Sequence, residues 1–176
     1  MIICLFPPQY RIIVMVINMI RRAKLNDIPK INDLLKQVNY VHYEKRKDIF
    51  KLGNKYTDKE LAVLIKDDSR PIFVITNDKD EILGYVFCII EQHLNNNLLT
   101  DIKTLYIDDF CVDETYRGQH LGTQLYKYVK EYAKRIDFYN ITLKVWSLNE
   151  SAKRFYEHLG LIPQKIKMED ILKGKE

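Results

Sequence analysis

The chain has 176 residues, about the size of one ordinary domain, and 47% of them are apolar, which permits one good core and argues against wholesale disorder. The 28 basic and 24 acidic residues leave a net charge of +4 spread thinly along the chain, so a basic stripe for a phosphate backbone is missing and nucleic acid is not expected as a partner. The three cysteines form no CxxC pair, which argues against a disulfide scaffold or structural zinc site and favours a reducing cytoplasm.

Residues 1–18 carry one charge, Arg11, and an apolar run from Ile12 continues to Ile20 with only Asn18 interrupting it. A membrane span needs about 20 apolar residues, and Pro7, Pro8 and Arg11 interrupt this run too early. Basic residues follow the apolar stretch rather than precede it, unlike in a signal peptide. We therefore expect neither export nor membrane anchoring. The segment is interpreted as an N-terminal extension, as the lead-in to a first strand around residues 17–23, or as dispensable if the physiological start is Met15 or Met19.

Two helices are predicted next. The first begins at Asn26 or Asp27, and its apolar residues recur three and four apart as far as Val38. The polar and aromatic residues 40–50 are interpreted as a loop or broken helix. Thr57 and Glu60 form a capping box that predicts a short second helix.

Strands dominate the middle of the chain. Residues 72–76 and 81–92 predict a hairpin around the turn 77–80, and residues 102–112 predict a third long strand. Helical spacing then returns from Leu121 to Ile136, and residues 141–146 alternate as a strand. A last helix is capped by Asn149 and ended by Gly160, and one or two short strands are expected after Pro163. This order predicts one α/β domain.

The segment from Tyr116 to Gly122 joins a strand to a helix. A helix N-terminus presents unpaired N–H groups and about half a positive charge, so it is a natural anion site. Glycine there lets the backbone approach a phosphate without a Cβ in the way. The segment matches neither a Walker loop nor GxGxxG, and by itself it is equally compatible with an ordinary turn.

A second pattern runs from Asn149 through Ala152, Phe155 and Tyr156 to Gly160. Together the two patterns resemble the motifs of the GNAT superfamily of N-acetyltransferases. The pyrophosphate motif Arg/Gln-x-x-Gly-x-Gly/Ala matches at Arg117 and Gly122. The motif Asn-x-x-Ala-x-x-Phe-Tyr-x-x-x-Gly-Phe matches at Asn149, Ala152, Phe155, Tyr156 and Gly160. The resemblance covers residues 19 to about 171 and implies an N-acetyltransferase domain over 19–176, with a mixed, mostly antiparallel central sheet flanked by about four helices.

Two residues depart from the motifs. His120 stands where the family has its middle glycine, and Leu161 replaces the usual Phe. Helical dihedrals at residue 120 would tolerate a side chain at little cost, whereas a positive φ would strain it and weaken the interpretation. We expect helical dihedrals, with the imidazole outside the loop, either solvated or touching a phosphate.

The resemblance implies acetyl-CoA as co-substrate and no metal ion, and no histidine pair has a zinc-ligand spacing. Pantetheine would pair with the strand end, where Val112 would also offer its amide to the thioester carbonyl, and Asn149 would bind from the other side. The pyrophosphate would lie on backbone N–H groups beside Arg117. The residues expected to contact acetyl-CoA are Phe110, Cys111, Val112, Arg117, Gly118, Gln119, His120, Leu121, Gly122, Thr123, Asn149 and Ala152.

Two residues are candidates for proton transfer. The resemblance implies that Tyr156 protonates the departing thiolate, and the reference pKa values of about 10 and 8.5 make that transfer cost only about 2 kcal/mol. Asp108 stands where some relatives carry a carboxylate that deprotonates the amine through water. Strand alternation predicts that Asp108 and Asp109 face opposite sides of the sheet, so that one of them lies in the cleft. Direct transfer is favoured over a covalent route through Cys111.

The mixed charge of residues 40–50 does not point to one acceptor. Candidate substrate residues are His42, Tyr43 and Asp109, and several aspartates near the strand suit a cationic small amine. A peptide N-terminus or a lysine side chain is equally allowed. A different class, a non-catalytic acyl-CoA-binding regulatory module, is the other alternative. Because exposed strand edges in this fold often pair between subunits, the resemblance is also compatible with a homodimer.

Overall fold

The computed structural model describes residues 18–172, which divide into two compact units with their boundary in the sequence between Leu143 and Lys144. Interpretations of residues 1–17 lie outside this range. The first unit contains β1 (Met19–Arg22), α1 (Ile28–Lys45), α2 (Asp58–Lys66), β2 (Ile72–Thr76), β3 (Ile82–Gln92), β4 (Lys103–Val112), α3 (Leu121–Arg135) and β5 (Asn140–Leu143). The second unit contains α4 (Glu150–His158).

The five strands form one sheet in the order β1-β2-β3-β4-β5. The first three pairings are antiparallel, and β4 pairs with β5 in parallel from Thr104 opposite Asn140 to Ile107 opposite Leu143. A parallel pair needs a long crossover, which α3 supplies. The prediction of a mixed, mostly antiparallel sheet is confirmed.

Helices cover both faces of the sheet. On one face, apolar residues of α1 and α2 form a buried cluster with Tyr85, Phe87 and Cys111. On the other face, Phe73 packs edge-on against Tyr128 and Tyr132 of α3, with ring centroids 5.2 and 4.9 Å apart. Neighbouring strand residues point to opposite faces, which divides the apolar strands between the two layers.

The predicted capping box is confirmed, because Thr57 accepts from the Glu60 N–H while Glu60 accepts from the Thr57 N–H. Of the two interpretations of residues 40–50, a loop or a broken helix, the loop is wrong for their first part, since α1 continues to Lys45 and therefore contains His42 and Tyr43. No glycine or proline interrupts these residues, and the helix ends only where Arg46 adopts φ −145° and ψ 67°.

Two strand predictions differ from the structure in the C-terminal part. The fifth strand ends at Leu143, three residues earlier than expected. No strand forms among the described residues after Pro163, although Ile166 and Met168 alternate with polar side chains. Alternation makes a strand only where a neighbouring chain supplies a hydrogen-bonded ladder.

Candidate functional site

The ladder between β3 and β4 contains a bulge at Asp108. Phe87 lies opposite Asp109, whereas the next residue of β3, Cys88, lies opposite Ile107, so Asp108 is an extra residue on β4. Phe87 and Cys88 point to opposite faces, and their partners must do the same. The bulge therefore reverses the alternation of β4 at this point.

This reversal brings two consecutive carboxylates together. Lys55 Nζ lies 3.0 Å from Asp108 Oδ2 and 2.8 Å from Asp109 Oδ2. The expectation that Asp108 and Asp109 face opposite sides is therefore wrong, because it assumed an unbroken strand. Both carboxylates contact the same ammonium on the face that α1 and α2 cover.

Burial and nearby charges shift the pKa values of the groups around this pair. Burial alone would lower the pKa of Lys55, but the ion pairs with Asp109 and Asp108 outweigh it and raise that pKa above its usual value. The Tyr85 hydroxyl donates to Asp109 Oδ1 at 2.9 Å, and burial beside that carboxylate raises the pKa of Tyr85 well above 10. Burial lowers the pKa of His42, with Asp109 opposing that shift and Lys55 adding to it.

The end of β4 extends beyond its neighbour β5. The register pairs with β5 stop at Ile107, while β4 continues to Val112. Cys111 points into the layer of α1, where its Sγ donates to the Leu34 carbonyl at 3.7 Å. Burial raises the pKa of the Cys111 thiol to about 12, so the thiol stays protonated near neutral pH and is a poor nucleophile.

The loop between β4 and α3 has the features of an anion site. It begins after the 3-10 turn Glu114–Tyr116, and Gly118 adopts a left-handed φ of +79°. A Cβ at Gly118 would meet nothing within 4 Å, so the backbone conformation rather than space favours glycine there. The first turn of α3 holds Leu121, Gly122 and Thr123, whose N–H groups have no acceptor within the helix, and it contains no acidic residue.

The expectation for His120 is wrong. This residue adopts φ 60° and ψ 14°, the left-handed conformation, rather than helical dihedrals. The observed backbone explains why a glycine suits this position of the motif, and histidine occupies it at a cost of roughly 1–2 kcal/mol. Arg117, Gln119 and His120 are exposed.

In the second unit, the residues of the second motif lie at the start of α4 and along it. Asn149 caps the helix by accepting from the Ala152 N–H at 3.2 Å, as expected. Phe155 and Tyr156 contact each other edge-on at 5.2 Å. Tyr156 belongs to the second unit and Asp108 to the first, and a shared site of the two stays a prediction.

Sequence reasoning missed Lys55, Tyr85 and Lys30. Lys55 lies in the segment between α1 and α2, where a lysine next to Tyr56 gives no signal. Lys30 Nζ lies 2.5 Å from Oδ2 of Asp113, the residue that directly follows β4. Partners this distant in sequence become visible only after the strands are placed.

Comparison with known proteins identifies the class. The model of the Acetyltransferase (GNAT) family matches residues 35–161, most of the chain. A solved tetramutant of the BH1408 protein of Bacillus halodurans is 31% identical with a TM-score of 0.84, covering 88% of this chain and 99% of that chain. No curated protein matches the sequence. The chain belongs to the GNAT family of acetyltransferases, as its motifs indicated.

Two further solved structures share the fold. An aminoglycoside acetyltransferase from an uncultured soil metagenomic sample is 19% identical with a TM-score of 0.66, covering 89% of this chain and 97% of that one. Glucosamine-6-phosphate N-acetyltransferase of Arabidopsis thaliana is 23% identical with a TM-score of 0.65, covering 89% and 99%. Within residues 18–172, no helix is long and apolar enough to cross a membrane. The same residues contain no group of His, Cys, Asp or Glu side chains that could hold a metal ion.

Proposed function

We propose that the protein is an N-acetyltransferase that moves the acetyl group of acetyl-CoA directly to a primary amine of a small molecule, within a ternary complex. Family membership supports the use of acetyl-CoA. The observation that supports an amine as the acceptor is the pair Asp108 and Asp109. This pair already binds one ammonium, that of Lys55, at 3.0 and 2.8 Å.

The loop before α3 fits the diphosphate of acetyl-CoA. Free N–H groups in the first turn of α3, a glycine in left-handed conformation and the exposed Arg117 together favour an anion. The residues proposed to hold it are Arg117, Gly118, Gln119, His120, Leu121, Gly122 and Thr123. Farther along, the backbone of Phe110, Cys111 and Val112 and the Asn149 and Ala152 pair are proposed to hold the pantetheine arm.

When bound, acetyl-CoA supplies the activated acyl group, and side chains of this protein accept and donate the protons. Asp108 is proposed to take the proton of the acceptor amine through a water molecule, because a carboxylate next to an ammonium site is placed for that exchange. Tyr156 is proposed to give its proton to the sulfur that leaves. Direct transfer accords with the buried, protonated thiol of Cys111.

The acceptor is proposed to bind near Asp109, His42 and Tyr43. His42 lies close enough to Asp109 for that charge to affect its pKa, and Tyr43 precedes the end of α1. Two proteins of the same fold are named for small acceptors, an aminoglycoside and glucosamine 6-phosphate, which accords with a small molecule here. Function in the cytoplasm and assembly as a homodimer are part of the same proposal, and light scattering on the purified protein measures the second.

A thiol-release assay with acetyl-CoA tests the proposal. The acceptors are polyamines, amino acids, aminoglycosides and peptides, and the enzymes are the full chain, Asp108→Asn and the control Asp33→Asn, whose carboxylate lies on the exposed surface of α1. We expect at least one small amine to release thiol, with Asp108→Asn at least tenfold slower and Asp33→Asn unchanged. Transfer only to peptides would assign a peptide acetyltransferase, and CoA binding without transfer to any amine would assign a binding module.

A further inference from the structure

Lys55 occupies the position in which an ammonium binds at the proposed acceptor site. Its Nζ contacts both carboxylates of the bulge and lies 5.4 Å from the centre of the Tyr56 ring. About a third of its side chain, 36%, stays exposed. A lysine held by two acids in this way is part of the site rather than a solvated surface residue, and none of the acyl-transfer roles above uses it.

The charges around Lys55 leave the site with a net charge near −1 at neutral pH. The two carboxylates contribute −2 and Lys55 contributes +1. His42 is neutral there because burial lowers its pKa below the usual 6.5. The tyrosines that face the cluster keep their protons, since burial raises their pKa values; they are Tyr56, Tyr85 and Tyr106.

The two carboxylates differ in what they can still accept. Asp109 is 8% exposed, and Lys55 and Tyr85 already donate to its two oxygens. Asp108 is 28% exposed, and Lys55 contacts it through Oδ2. An incoming amine can therefore reach Asp108. A second ammonium on the same molecule would need a further negative charge, and Lys55 already neutralises one of the two carboxylates.

We infer that Lys55 is a specificity-determining residue that restricts the acceptor to amines without a second positive charge near the reacting nitrogen. This inference rests on the proposed function. A diamine must place its second ammonium beside that of Lys55, where like charges repel, or displace Lys55 from both carboxylates. Without the Lys55 charge the site would have a net charge of −2, and the second ammonium of a diamine would occupy the position that Lys55 Nζ leaves.

Binding of two matched amines tests the inference. Butylamine and putrescine share a four-carbon chain and differ in the second amino group. Their dissociation constants are measured by calorimetry, in the presence of CoA, for the full chain, Lys55→Met, Lys55→Arg and the control Lys134→Met, whose exposed ammonium pairs with Glu131 away from the sheet. We expect the preference for putrescine over butylamine to rise at least fivefold in Lys55→Met. It should stay within twofold in Lys55→Arg and Lys134→Met.

The outcomes separate this inference from the proposed function. A change below fivefold in Lys55→Met, or no binding of either amine to any variant, overturns the inference. If Lys55→Met does not fold, as judged by circular dichroism, Lys55→Gln replaces it under the same criterion. Thiol release by the full chain with an unchanged preference in Lys55→Met would leave the proposed function standing and remove the role of Lys55. A shifted preference in Lys55→Met without thiol release for any amine would keep the role of Lys55 in amine binding and remove the proposed acetyl transfer.

Discussion

Lys30 of α1 and Asp113, which directly follows β4, form an ion pair with 2.5 Å between Nζ and Oδ2. The Asp113 carboxylate also accepts from the N–H and the hydroxyl of Thr115, and its own N–H donates to the Leu83 carbonyl at 2.8 Å. These bonds fix the turn that leads into the loop at Arg117. The ion pair therefore connects the proposed diphosphate site to the first helix.

Replacing Lys30 with Met should leave a charged carboxylate without its main partner. Because Asp113 is only 4% exposed, we expect the free energy of unfolding to fall by about 1–3 kcal/mol in urea denaturation. The affinity for CoA should fall several-fold in calorimetry. The exposed pair of Lys36 with Asp33 is the control, and Lys36→Met should change stability by less than about 0.5 kcal/mol.

The same pair predicts a loss of stability at acid pH. Burial would raise the pKa of Asp113, but the bonds from Lys30 and Thr115 outweigh burial and lower it. A carboxyl with a lowered pKa stabilises the fold above its unfolded value of about 3.9, and that contribution is lost as pH falls through the folded pKa. Lys30→Met should therefore lose less stability than the parent below about pH 4. An equal loss in both would contradict this assignment.

His42 predicts a second, milder pH dependence. Its lowered pKa means that the unfolded chain takes up a proton near pH 6.5 while the folded chain does not. Stability should fall as pH drops below about 6.5 and level off below the folded pKa. The variant His42→Gln should show a flatter curve between about pH 6.5 and 5 in urea titrations. A curve parallel to that of the parent would show that His42 does not carry the effect.

Gly84 allows β3 and β4 to approach each other. It lies opposite Val112, and a Cβ there would come within 2.6 Å of the Cys111 carbonyl oxygen, which no ordinary contact permits. We expect Gly84→Ala to lower the free energy of unfolding by about 1–3 kcal/mol, since the backbone of β4 must shift. Gly53→Ala is the control, because a Cβ there meets nothing within 4 Å. Equal stability of the two variants would contradict the close approach.

The sequence predicts the parts of this fold that depend on local patterns. Apolar spacing locates α3, and the Thr57 capping box locates the start of α2. The bulge at Asp108 was missed because a bulge is a relation between two strands, and alternation along one strand carries no sign of it. Lys55 was missed for a similar reason, since its carboxylate partners lie more than 50 residues away along the chain.

The left-handed backbone of His120 can be tested by substitution. His120 makes no capping hydrogen bond, so its removal costs no cap. At φ 60°, glycine should raise the free energy of unfolding by up to about 1 kcal/mol, whereas valine, which is branched at Cβ, should lower it by about 1–2 kcal/mol. Denaturation of His120→Gly and His120→Val measures the difference. If glycine instead costs more than about 1 kcal/mol, the imidazole itself stabilises the loop.

Tyr156→Phe tests the proposed acid of the reaction. The change removes one hydroxyl and keeps the ring, which packs edge-on against Phe155. If Tyr156 protonates the leaving thiolate, turnover should fall at least tenfold while the dissociation constant of CoA stays within twofold. Tyr139→Phe is the matched control, because the Tyr139 side chain is largely exposed and lies next to β5 in the first unit. Unchanged turnover in Tyr156→Phe would remove this residue from the mechanism, whereas equal losses of turnover and CoA affinity would assign it to binding.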